Sequence, residues 1–205
     1  MVEYTKKKSE DILFPGRFSI LTKIHEGIIR NILNRYAREG KLYIGLRLIV
    51  DENWTNYDNP FTFYERKEMF NIIFGKEIAC RKICVVPLKY GLNIRKDMKK
   101  FCGKIIPIYT REKIWAWGGK FLGVPTIYEK RDGFSATDIK EKIYKTLKNQ
   151  NELPKYMGGI DSRILKFIND KEKISRMKNF INHPSKNRDK FGLVEELKRI
   201  LHIHI

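Results

Sequence analysis

Apolar and polar positions along the chain follow two alternating rhythms. Short apolar blocks of strand length stand at Ile12-Leu13-Phe14, Leu42 to Leu46 (with apolar residues continuing to Val50), Lys82 to Leu88, Lys104 to Tyr109 and Leu122 to Tyr128. Between them, apolar residues recur every three to four positions, the period of a helix with one buried face. Residues 24 to 38 carry Ile24, Ile28, Ile29, Ile32, Leu33 and Tyr36 in that period, and Gly40 follows as a stop. The same reasoning predicts helices over Thr62 to Phe74 with Gly75 as its stop, Ile94 to Phe101, Glu112 to Trp117 and Thr137 to Lys148, with Asp51 to Asn59 as a polar loop. Strand and helix in strict alternation predict an α/β fold: a parallel sheet with helices on both faces. In such a sheet ligands bind at the carboxyl ends of the strands, where the strand order reverses. The segment after the first strand is therefore the first place to look for chemistry.

The rhythm changes after residue 150. Leu153-Pro154 and Gly158-Gly159 interrupt it, and the remainder reads as helices around Ile164 to Ile168, Lys173 to Ile181 and Leu193 to Leu201, with a turn at His183-Pro184-Ser185. We read residues 1–150 as the sheet domain and 151–205 as a C-terminal helical appendage.

Composition narrows the class. Apolar residues make up 42% and charged residues 32%, which excludes collagen-like and wholly disordered chains. No run approaches the ~18 consecutive apolar residues of a membrane helix. The basic Lys6-Lys7-Lys8 is followed by no apolar run and has Glu3, Glu10 and Asp11 around it, unlike a signal peptide. Cys80, Cys84 and Cys102 form no CxxC pair, which argues against a disulfide framework or zinc finger, and Cys80 and Cys84 read as small buried apolar groups. The expectation is a soluble, cytoplasmic protein without a membrane partner. The net charge is +18, spread along the whole chain rather than gathered in one tail; it reads first as a solvated, lysine-rich surface and second as a surface for polyanions such as nucleotides or nucleic acid.

Three segments carry candidate chemistry. The first is Gly16-Arg17-Phe18-Ser19-Ile20-Leu21-Thr22-Lys23-Ile24-His25, between the first strand and the first helix. A glycine allows a sharp turn and close approach to the backbone. The helix start adds free N–H groups and a positive dipole end, a setting for phosphate. Thr22 also suits plain N-capping. The spacing is not that of a Walker P-loop. The second segment, Phe134-Ser135-Ala136-Thr137-Asp138-Ile139-Lys140, opens the last sheet-domain helix; Ser135-x-x-Asp138 reads on its own first as a capping box variant, and the two hydroxyls and Lys140 also suit phosphate. The third, Asn59-Pro60-Phe61-Thr62-Phe63-Tyr64-Glu65-Arg66, contains the capping box Thr62-x-x-Glu65, and its role reads as mainly structural.

Taken together and in this order, the three segments resemble the nucleotidyltransferase superfamily with the [HT]xGH signature, most closely the nicotinamide-nucleotide adenylyltransferases of archaeal type. The resemblance covers roughly residues 11 to 148. It departs from the family pattern at Ser19 and Ile20, at Ile24 where the signature has glycine, at Gly45-Leu46-Arg47-Leu48 where the family has GxGS, and at Lys140 where the family has arginine. The resemblance implies a Rossmann-like sheet and transfer of AMP or CMP from ATP or CTP to a phosphorylated small molecule. Nicotinamide mononucleotide is the first choice of acceptor, which would place the protein in NAD biosynthesis. It implies His25, Thr22 and Arg17 as catalytic contacts to the triphosphate, Gly16, Phe18, Arg111, Ser135, Thr137 and Lys140 as nucleotide-binding residues, and Mg²⁺ borne by the phosphates rather than by a protein ligand set. A homo-oligomer is compatible with it. A nucleic-acid-binding protein or a non-catalytic nucleotide sensor on the same fold is the alternative, favoured by the charge. Trp54, Trp115 and Trp117 offer stacking surfaces, though such residues more often pack. His202 and His204 are a poor metal pair at a chain end.

Overall fold

The structure, a computed structural model, describes residues 10–48, 50–89, 93–130 and 136–183. The expectations for Lys6-Lys7-Lys8, Ser135, the last helix and the two C-terminal histidines lie outside the described residues, as does the Trp115 side chain. Twelve elements follow one another: β1 (Ile12–Gly16), α1 (Lys23–Arg35), β2 (Leu42–Leu48), α2 (Phe63–Ala79), β3 (Ile83–Lys89), α3 (Ile94–Cys102), β4 (Ile108–Thr110), α4 (Lys113–Phe121), β5 (Thr126–Tyr128), α5 (Ala136–Asn149), α6 (Ser162–Ile168) and α7 (Lys171–Asn182). The five strands form one all-parallel sheet in the order β3-β2-β1-β4-β5. This is the Rossmann-like α/β architecture predicted from the alternation, and its order reverses between β1 and β4.

The period-two alternation of the strands sorts residues to two cores. Ile12, Phe14, Leu42, Ile44 and Leu46 face one side, packed with Ile29 and Ile32 of α1, Phe70 and Phe74 of α2, and Ile143 and Leu147 of α5. Leu13, Tyr43, Val86 and Leu88 face the other side, under Ile94 and Met98 of α3 and with Val124. Helices on both faces follow directly from strands that are apolar on both sides. Leu153, Met157, Ile160, Ile164, Leu165, Ile168 and Met177 join the first core, so the C-terminal helices cover the same face as α1, α2 and α5.

Several boundaries differ from the sequence expectation; α1 stops at Arg35 rather than Arg38, and α4 runs on to Phe121 rather than stopping at Trp117. The β4 strand is shorter than Lys104 to Tyr109, because Pro107 has no N–H to donate; only its carbonyl pairs, accepting from Leu13 N–H at 2.9 Å. The β5 strand begins at Thr126 rather than Leu122, because Leu122 and Val124 are tied back to α4 by hydrogen bonds to the Gly118 and Gly119 carbonyls. Helix α2 does not end at Gly75. It bends at Phe74 (φ −118°, ψ 27°) and continues to Ala79. The left-handed closing residue is Arg81 (φ 58°), whose following amide, Lys82 N–H, donates to Glu77 O at 2.8 Å. Cys80, expected inside, is exposed at this helix end, and Cys84 is only half-buried. Burial and the nearby charge of Asp11 push the Cys102 thiol up to about 12, which makes it inert at neutral pH. Among the described residues no helix is long and apolar enough to cross a membrane.

These helix-end observations generate a pair of stability predictions. Gly75 sits inside a helix with open space where a Cβ would stand, so Gly75→Ala is expected to stabilise by about 0.5–1 kcal/mol. Arg81 holds a left-handed conformation with an exposed side chain, so Arg81→Gly is expected to stabilise by about 1 kcal/mol. Urea unfolding of the two variants measures both; a loss of stability in either contradicts its assignment.

Candidate functional site

The first motif folds as a tight turn built on its glycine and phenylalanine. A Cβ on Gly16 would lie 2.6 Å from the Phe18 ring, so no larger residue fits there. Phe18 itself adopts a left-handed backbone (φ 44°), a costly state for a bulky residue. Its buried ring supports that state, packing edge-on against Phe14 at 5.2 Å, Phe70 at 5.3 Å and the His25 ring at 5.1 Å. Arg17, between them, leaves its side chain exposed at the mouth of the turn.

Thr22 caps α1 as expected, and His25 completes a reciprocal capping box in the place usually held by Glu or Gln. The His25 N–H donates to Thr22 Oγ1 (3.4 Å), while His25 Nδ1 accepts the Thr22 backbone N–H (3.3 Å) and lies 3.1 Å from Thr22 Oγ1. A ring nitrogen that accepts an amide N–H carries no proton of its own. The neutral imidazole of His25 is thereby set with its proton on Nε2, a hydrogen-bond donor. Phe18 fixes the ring plane and Thr22 fixes the tautomer. The first amide of α1, Lys23 N–H, donates to Gly159 O at 2.9 Å. Gly159 (φ 88°) lies so close to Ile139 of α5 that a Cβ there would meet it at 2.6 Å. The first turns of α1 and α5 thus meet across the segment that opens the C-terminal region.

Arg111 follows β4 directly. The register Leu13 to Ile108 carries Gly16 and Arg111 to the same level on adjacent strands, at the reversal of strand order. Arg111 donates to Lys130 O at 3.1 Å. Gly16, Arg17, Phe18, Thr22 and His25 are therefore one unit, with Arg111 on the neighbouring strand. Thr137 is exposed in the first turn of α5. Lys140 is engaged differently. It is 5% exposed; its Nζ lies 3.1 Å from Asp58 Oδ1 and 3.5 Å from Tyr57 O, over the Tyr57 and Tyr144 rings. Tyr144 adds a hydroxyl donated to Tyr57 O at 2.7 Å. Lys140 and Tyr144 thus bind the polar loop between β2 and α2 onto α5, a connection with no signal in the sequence because it joins residues more than 80 positions apart.

The third motif is the frame beneath the turn. Thr62 and Glu65 form the expected capping box on α2, and Glu65 also accepts from Arg176 of α7 at 2.6 and 2.7 Å. Arg66 is 2% exposed. Its guanidinium donates to Arg17 O (2.7 Å), Arg47 O (3.0 Å) and Thr62 O (3.3 Å). One side chain thereby joins the turn after β1, the end of β2 and the start of α2.

A five-stranded parallel sheet of order 3-2-1-4-5, with a glycine turn and a helix start at its reversal point, is the Rossmann-like class of fold. Solved structures share it. The chain superposes on a bifunctional NMN adenylyltransferase/ADP ribose pyrophosphatase from Francisella tularensis, complexed with AMP and a manganese ion, with TM-score 0.61 and 19% identity over 97% of this chain and 57% of that one. It also superposes on nicotinic acid mononucleotide adenylyltransferase from Plasmodium falciparum complexed with APC, with TM-score 0.53 and 14% identity over 78% of this chain and 94% of that one. The chain thus spans little more than half the length of the Francisella protein. At these identities the likeness is one of fold. No protein-family model and no curated protein sequence matches the chain.

Two stability predictions follow from the clamps. Arg66→Gln removes charge-assisted hydrogen bonds to three carbonyl oxygens and is expected to cost about 1.5–3 kcal/mol in urea unfolding. Lys140→Met and Asp58→Asn are each expected to cost ~1–2 kcal/mol, and the double variant about as much as one alone, since both break the same contact. Additive losses in that cycle would show that the Lys140–Asp58 contact does not hold the loop.

Proposed function

We propose that this chain is a nucleotidyltransferase that transfers AMP from ATP, or CMP from CTP, to a phosphorylated small molecule, with nicotinamide mononucleotide the preferred acceptor. The observation that carries the proposal is the Gly16–His25 turn. It brings a shaped backbone, an exposed cation and an imidazole Nε2–H donor to the start of a helix at the reversal point of the sheet. Two adenylyltransferases of mononucleotides share the fold, which supports the choice of acceptor. In this reading residues 1–150 are the transferase domain and 151–205 the helical extension that braces it.

The reaction needs no enzyme nucleophile. A phosphate oxygen of the acceptor attacks the α-phosphorus of the triphosphate, a new P–O bond forms, the bond to the β-phosphate oxygen breaks, and pyrophosphate leaves with the electron pair. Catalysis then consists of positioning and of stabilising charge on the phosphoryl oxygens. His25 donates from Nε2 to the α-phosphate, and Thr22 holds that tautomer. Arg17 and Arg111 bring positive charge to the β- and γ-phosphates, and Gly16 and Phe18 set the backbone they lie against. Thr137 serves as a hydroxyl donor in the first turn of α5, and Ser135, two positions earlier in the sequence, is the second hydroxyl of this reading. Lys140 holds the β2–α2 loop to α5 through Asp58 and Tyr57. Mg²⁺ borne by the triphosphate would neutralise phosphate charge when bound, without a full set of protein ligands.

Pyrophosphate release with ATP or CTP and nicotinamide mononucleotide tests the proposal. Turnover is expected with one of the two triphosphates, and His25→Ala is expected to reduce it by ~100-fold, as for loss of one transition-state donor. Near-wild-type turnover in that variant removes His25 from the reaction; absence of turnover with either triphosphate, together with no thermal stabilisation by them, removes the transferase reading.

A further inference from the structure

The face of the sheet opposite α1 carries a surface that the reaction above does not use. On α4 the exposed positions Lys113, Trp117 and Phe121 recur every four residues, so they form one outward stripe. Trp117 is 70% and Phe121 79% exposed, and their rings lie parallel at 6.3 Å. Two large aromatic side chains left in water on one helix are unusual for a surface with no partner. Beside it, α3 turns Arg95, Lys96, Lys99 and Lys100 outward. Arg95 donates to Leu122 O at 2.7 Å, directly after Phe121, and so ties the basic helix to the end of the aromatic stripe. The single acidic residue of α3, Asp97, is turned to the Lys89 N–H at 2.6 Å. Among the described residues Lys96, Lys99, Lys100 and Lys113 have no carboxylate partner.

We infer that the α3–α4 face binds single-stranded nucleic acid, with the α3 cations tracking the phosphates and Trp117 and Phe121 stacking on bases. Charge decides between the candidate occupants. A second copy of this chain would bring a molecule of net charge +18 against a face that is itself basic, whereas a polynucleotide supplies both the missing anions and flat apolar rings. A double helix would satisfy the cations but leave the aromatic pair without a partner, since stacked bases in a duplex do not present their faces. The inference stands independently of the transferase reading, because it uses none of the residues of the Gly16–His25 turn.

The test is fluorescence anisotropy of labelled 15-nucleotide oligo(U) and oligo(dT) with the full chain at 50 to 200 mM NaCl. Affinity is expected to fall linearly on a log–log plot as salt rises. Replacing both rings, Trp117→Ala with Phe121→Ala, is expected to weaken binding at least ~10-fold without changing the salt slope. Lys96→Gln, Lys99→Gln and Lys100→Gln together are expected to lower the slope by about 2, at ~0.7 per lost phosphate contact. Circular dichroism melts of both variants confirm that they fold. No binding at 50 mM salt overturns the inference. So does binding that the ring variant leaves unchanged, which would reflect only diffuse charge. Displacement of the oligonucleotide by equimolar ATP or nicotinamide mononucleotide would assign the contact to the mononucleotide site instead, and self-association in sedimentation that disappears with the ring variant would assign the face to a second copy.

Discussion

The site depends first on the guanidinium of Arg66. A buried cation is costly unless its donors are satisfied, and here three backbone carbonyls from three elements accept from it. The exchange works in both directions. The carbonyl of Arg17 lies in the turn after β1, and that of Arg47 lies one residue past the last β1–β2 pair, Gly16 with Leu46, so Arg66 supplies donors that a longer β1 would otherwise provide. Only a planar fork reaches separate carbonyls from one side chain; lysine would offer a point charge on a flexible stem. The turn that carries Phe18 in its left-handed state is held on one side by this guanidinium and on the other by the aromatic contacts of Phe18 itself.

From that anchor the ordering spreads outward. Arg66 is positioned by α2, whose start is fixed by the Thr62–Glu65 box, and Glu65 is in turn gripped by Arg176 from α7. The Gly159 carbonyl from the C-terminal region takes the first amide of α1, and Ile139 of α5 packs against the same glycine. The helices after residue 150 are therefore part of the support of the turn, although they come last in the chain. His25 benefits twice: Phe18 holds its plane, and the Thr22 amide holds its proton on the outer nitrogen. In the transferase reading we propose, such a donor is oriented before substrate arrives.

What the sequence made legible is local. The Thr62–Glu65 capping box, the N-cap at Thr22, the apolar period of α1 and α5, and the two-sided strands could be read because their signals lie within a few residues, whereas the reciprocal bond from His25 came only with the structure. Errors arose where one signal was overruled from a distance. Gly75 carries the usual mark of a helix end, but α2 runs on because Ile78 still packs on the core, and Arg81 takes the left-handed position in its stead. Pro107 cut β4 short in a run that otherwise alternates well. The motif order located the turn and the strand-end arginine, but the Asp58 partner of Lys140, the Arg17 carbonyl at Arg66 and the Arg176 partner of Glu65 are invisible in sequence. Each lies far along the chain, and any exposed lysine or glutamate reads the same until the fold brings them together.

The two faces of the sheet have different consequences for the surface. The first face is covered by α1, α2, α5, α6 and α7, and Lys140, Glu65 and Arg66 beside the site are turned inward and paired. Among the described residues the second has α3, packed through Ile94 and Met98, and α4, whose Gly119 lies against Thr126 of β5. A thinly covered face leaves a larger fraction of each helix in contact with water, so the outward halves of α3 and α4 are free of packing constraints. Lysines there contribute little to stability, and two exposed aromatic rings on the same helix forgo the burial that would normally favour them. The Trp117–Phe121 pair lies on this face beside Lys96, Lys99, Lys100 and Lys113, which have no carboxylate partner among the described residues. On Arg66's side of the molecule Glu65 and Asp58 hold the frame of the turn, whereas nothing of the fold depends on the α3 lysines.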